Sequence, residues 1–135
     1  IADLALKRVV VPITSAQFKD LAANPKVLVA APGAGKAVIP ISVMLQYNFL
    51  TANYGGGSNL LITYNGESAP FNLLYVLASN LTGGSSVMLV FSPDQQLINL
   101  SSIDDGDLTL TVNGSDFTTG DGDFVLTLLY TIIDV

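Results

Sequence analysis

Cysteine, histidine and tryptophan are all absent from this chain of 135 residues. Their absence excludes a disulfide framework, a thiolate nucleophile, a zinc or haem site of Cys or His type, and an imidazole general base. Charge is scarce too, at 12% of residues, about half the usual share. All five bases, Lys7, Arg8, Lys19, Lys26 and Lys36, fall in the first 36 positions, with Asp3 and Asp20 as the acids there. The remaining positions hold nine acids and no base. A net charge of -6 argues against a nucleic-acid partner. No secretory or membrane-spanning segment stands out, because the long apolar stretch VLVAAPGAGKAVIPISVML is broken by two prolines, two glycines and a lysine.

What is present is apolar. Half the residues are hydrophobic, and mean hydropathy is +0.54. That composition is incompatible with disorder, and the length sets one domain, 1–135, as the expectation. A chain this short has little interior, so part of the apolar surplus is expected in subunit contacts, which makes the chain a homo-oligomer.

Hydrophobic spacing points to strands nearly throughout. Leu4 to Ile13 reads as extended, closed by Pro12. Thr14 and Gln17 form a capping-box pattern that opens a short helix over 15–23, stopped by Asn24-Pro25. Strands are expected at 26–31, 37–49, 59–64, 69–77, 86–91 and 107–112, with Pro40 marking an edge or bulge. Asn65-Gly66 is the strongest hairpin signal, and TANYGGGS reads as a flexible loop. The closing DFVLTLLYTIIDV is apolar on both alternating faces, so both require cover. Seven to nine regularly spaced strands and one early helix give an all-β fold, an antiparallel, jelly-roll-like β-sandwich.

Sites for chemistry are few. APGAGKAV resembles a phosphate-binding loop, but Ala30 stands in the first glycine's place, Ala37 replaces the hydroxyl, and strand rather than helix follows. Two acidic groups, Asp104, Asp105 and Asp107, then Asp116, Asp121 and Asp123, lack calcium-loop spacing and read as turn residues. The lone glutamate, Glu67, sits beside the expected hairpin tip, and the aspartates lie beside glycine or at turns, where water leaves them poor general acids for glycoside hydrolysis. No catalytic residue, cofactor or metal is therefore expected, and the chain reads as a non-enzyme. Of the aromatics, Tyr54 in the glycine-rich loop is the candidate for meeting a ligand or partner.

Two stretches, Val9 to Phe49 and the closing FVLTLLYTIIDV, resemble small virion structural proteins of tailed bacteriophages and prophages. The resemblance lies in Thr14, Gln17, Phe18, Lys19 and Leu21, followed by Pro25, Leu28, Val29 and the Ala31–Lys36 turn. It covers about a third of the chain and implies a virion component, with the major capsid protein or other virion proteins as partners. A capsid decoration (cement) protein, trimeric and on the capsid surface, is the first reading. The basic amino-terminal third would then dock through Lys7, Arg8, Lys19 and Lys26. The alternative is the receptor- or glycan-binding head of a head or tail fibre.

Overall fold

The computed structural model describes residues 5–65, 74–76, 78–92 and 100–135. Among them are ten strands: β1 (Lys7–Ile13), β2 (Lys26–Val29), β3 (Lys36–Asn48), β4 (Tyr54–Gly56), β5 (Leu60–Tyr64), β6 (Leu74–Val76), β7 (Val87–Phe91), β8 (Leu108–Val112), β9 (Phe117–Thr119) and β10 (Asp123–Asp134). One sheet has the order β1-β10-β3-β7, a second β2-β8-β5-β6, and β4 with β9 forms a two-stranded ribbon. All the pairings are antiparallel, which makes the fold all-β.

Residue alternation explains the shared core. On β10, Phe124, Leu126 and Leu128 are buried, as are their partners Tyr47, Leu45 and Val43 on β3. These side chains belong to the same core cluster as Leu60, Ile62, Leu108 and Leu110 of the second sheet. β8 departs from the half-wet alternation its sequence suggests, because all five of its residues are buried. Its threonines are satisfied internally: Thr109 donates to the Thr63 carbonyl at 3.2 Å and Thr111 to that of Leu21 at 3.1 Å.

The expected helix over 15–23 is shorter, spanning Ser15–Phe18 (α1), although its capping box is present on Thr14 and Gln17. A tertiary bond competes with helix propagation. The Ala22 amide donates to Asp116 Oδ1 at 2.8 Å rather than to the Phe18 carbonyl. A second short helix, α2 (Leu100–Ile103), has no counterpart in the sequence reading. Pro40 does sit at an irregularity, where the β3–β10 register shifts between Leu129 and Tyr130. The hairpin differs from expectation. Leu60 pairs with Val76 and Ile62 with Leu74, too far apart in sequence for a two-residue turn at Asn65-Gly66. Gly66 and Glu67 lie outside the described residues.

Candidate functional site

Tyr54 must be reassigned. It is 1% exposed and sits in an aromatic cluster, edge-on to Phe18 with ring centroids 4.8 Å apart. Its hydroxyl donates to the Gly122 carbonyl at 2.5 Å and lies 2.9 Å from Ser15 Oγ. The expected flexible loop is instead strand β4, paired with β9. The glycines there serve close approach: a Cβ on Gly57 would lie 2.6 Å from the Phe117 ring, and one on Gly120 2.4 Å from that of Tyr54. Tyr47 and Tyr64 are buried as well, and Tyr130 packs against the core. Phe71 and the Tyr75 side chain fall outside the described residues.

The aspartates bind loops together. Asp104 Oδ1 accepts from the Gly35 amide at 2.7 Å and Asp105 Oδ1 from that of Gly33 at 2.8 Å, clasping the PGAGK turn. Asp121 accepts from the Thr51 and Ala52 amides at 3.0 and 2.9 Å and from the Thr51 hydroxyl. Those bonds, the hydroxyl's first, hold its carboxyl below the ordinary range. No group of three or more acidic side chains suited to a metal ion occurs among the described residues.

The four docking candidates do not converge. Lys7 and Arg8 are consecutive on β1 and therefore point to opposite faces of its sheet. Lys19 is engaged, donating from Nζ to the Gly120 carbonyl at 3.0 Å. Lys26 lies on β2, in the other sheet. Lys36, left out of the docking set, forms an exposed ion pair with Asp134 at 3.1 Å.

The open surface that stands out is the outer face of the first sheet. Pairing aligns Val10, Thr127, Met44 and Val90 in one row across all four strands, and Pro12, Val125, Gln46 and Met88 in the next. Val10 is 50% exposed, Met88 53% and Val90 67%, values high for such side chains. Neither row carries a charge. Arg8 lies beyond one end of the two rows, and Asp123, held by the Asn48 amide at 3.0 Å, beyond the other. The sequence showed that β10 needed cover on both faces. It did not show that β1, β3 and β7 extend the same apolar surface, because their neighbourhood is set by long-range pairing.

Comparisons with known proteins add little to this geometry. No family model matches the chain, and no curated protein does. A solved structure described as the capsid of Ralstonia phage GP4 is similar over 96% of this chain and 84% of that one, with 16% identity and a TM-score of 0.42. No helix among the described residues is long and apolar enough to cross a membrane.

Proposed function

We propose that this chain is a virion structural protein, a capsid decoration protein that acts by binding rather than catalysis and works as a homo-oligomer on the capsid surface. The observation that carries the reading is the uncharged, largely apolar outer face of the first sheet, since the largest apolar patch that a soluble protein exposes often serves as a contact site. The sequence resemblance in Val9 to Phe49 supplies the virion context. Strand order supports a jelly-roll sandwich. Numbered one to eight in chain order, the strands of the two large sheets run 1-8-3-6 and 2-7-4-5. Jelly rolls recur in viral capsid domains and in lectins, so the order is compatible with this class without assigning the role.

Docking on the shell is proposed to use the exposed Lys7 together with Lys26, which lie on the neighbouring edge strands β1 and β2 of the two sheets, since Lys19 is occupied by Gly120. Burial of Tyr54 takes from the fibre-head reading the aromatic contact on which it relied. The test is co-sedimentation of the purified chain with capsids assembled from the major capsid protein alone. Saturable binding is expected, weakened by Lys7→Glu with Lys26→Glu and by added salt. Absence of binding to the bare lattice, with binding on a glycan array instead, overturns the proposal.

A further inference from the structure

We infer that the outer face of the first sheet is a two-fold contact between two copies of this chain. The inference rests on the reading above of an oligomeric building block and names the surface and symmetry. Along the strands the face is polar-ended: Arg8 beyond the row of Val10, Thr127, Met44 and Val90, and Asp123 beyond the row of Pro12, Val125, Gln46 and Met88. Between these ends no outward side chain is charged. A two-fold axis lying between the sheets, across the strands and midway between the two rows, superposes each row on the other row of the partner. The same rotation brings Arg8 of one copy level with Asp123 of the other, on neighbouring strands about 4.8 Å apart laterally, across sheets about 10 Å apart. An extended arginine spans such an offset. The operation is its own inverse, so the ion pair forms twice.

This charge arrangement selects the occupant. The chain carries a net -6, so two copies repel over most of their surface. On this face the charges that meet are of opposite sign. A partner without the same arrangement would leave Arg8 or Asp123 unopposed under cover.

The face sets the strength of the contact. Four strands about 4.8 Å apart and five residues at about 3.4 Å each give a footprint of roughly 330 Å². Stable pairs bury about 800 Å² on each side. Pairing through this face alone is therefore weak and concentration-dependent, suited to copies gathered at high local density. The implied symmetry is two-fold, so a trimer requires a different surface.

Sedimentation velocity on the full chain, from about 1 μM to 1 mM, tests the contact. That range spans the affinities expected of so small an interface. The weight-average mass should climb from one chain towards two. Arg8→Asp and Asp123→Arg should each shift the midpoint at least about tenfold to higher concentration, and the double swap R8D/D123R should return it. Val90→Lys, at a 67% exposed position that leaves the core untouched, should also abolish pairing. A monomer throughout, pairing indifferent to Val90→Lys, or a double swap that fails to restore what the single swaps lose, overturns the inference. Capsid co-sedimentation is read separately: pairing without lattice binding refutes the proposed function and leaves this contact standing.

Discussion

Three buried tyrosines respond in opposite directions to the same substitution. The Tyr64 hydroxyl donates to the Val38 carbonyl at 2.5 Å, and that of Tyr54 to the Gly122 carbonyl at 2.5 Å. The Tyr47 hydroxyl is equally buried and has no hydrogen-bond partner among the described residues. Replacing tyrosine by phenylalanine keeps the ring and its packing, so only the hydroxyl's balance changes. At positions 64 and 54 the loss of a buried bond costs about 1–1.5 kcal/mol. At position 47 removal of an unsatisfied hydroxyl relieves a desolvation penalty, so Tyr47→Phe should be neutral or stabilising by about 1 kcal/mol. With a urea slope of about 2 kcal/mol per molar, midpoints fall by roughly 0.5–0.8 M for Tyr64→Phe and hold or rise for Tyr47→Phe. An alkaline titration of tyrosine absorbance gives a second readout. Burial pushes the Tyr64 hydroxyl up to about 12, against about 10 in the unfolded chain. Its protonated form is favoured by folding, so stability is fully present below pH 10 and is lost as pH rises from there through 12. Equal destabilisation by Tyr47→Phe and Tyr64→Phe would refute the reasoning.

Further perturbations probe the elements that position the faces. Phe18 is fully buried and stacks on Phe124 with ring centroids 4.0 Å apart. Phe18→Ala should therefore cost about 3–5 kcal/mol in urea unfolding, and a loss under 1 would mean that α1 does not anchor the core. Gly120 has φ +77° and no room for a Cβ beside the Tyr54 ring, so Gly120→Ala should lower stability by at least about 2 kcal/mol. Its thermal midpoint against wild type reads the loss, and an unchanged midpoint contradicts the β4–β9 packing. Asp121 is held below the ordinary carboxylate range by the Thr51 hydroxyl and the Ala52 and Thr51 amides. Its contribution is present above about pH 3.9 and lost as pH falls through its lower folded value. Asp121→Asn should accordingly flatten the acid limb of a melting-temperature profile, and an identical limb would remove Asp121 from that role.

Local pattern made much of the fold legible. The alternation of Phe124, Leu126 and Leu128 with Val125, Thr127 and Leu129 identified a strand with two apolar faces, and the inner set is buried. Thr14 with Gln17 marked a helix start that the structure keeps. Its early end was not legible, because the competing acceptor for the Ala22 amide, Asp116, is 94 residues away. Tyr54 was misread for a related reason. Three successive glycines suggest mobility, but here Gly57 brings backbone against the Phe117 ring while Gly55 and Gly56 lie against Thr118 and Thr119, contacts that exist only once β4 meets β9. The candidate site divided in the same way. The need to cover β10 was visible in one segment. The row from Val10 to Val90 joins four strands from distant parts of the chain, and no local pattern reports it.

The central claim is that this chain is a virion building block whose apolar sheet face is closed by a neighbour. A density map of the intact virion tests it most directly. The account predicts the chain on the outer shell in symmetric positions, with Val10, Met44 and Val90 covered by another protein surface. A particle lacking the chain, or one displaying it with that face open to solvent, would contradict the account.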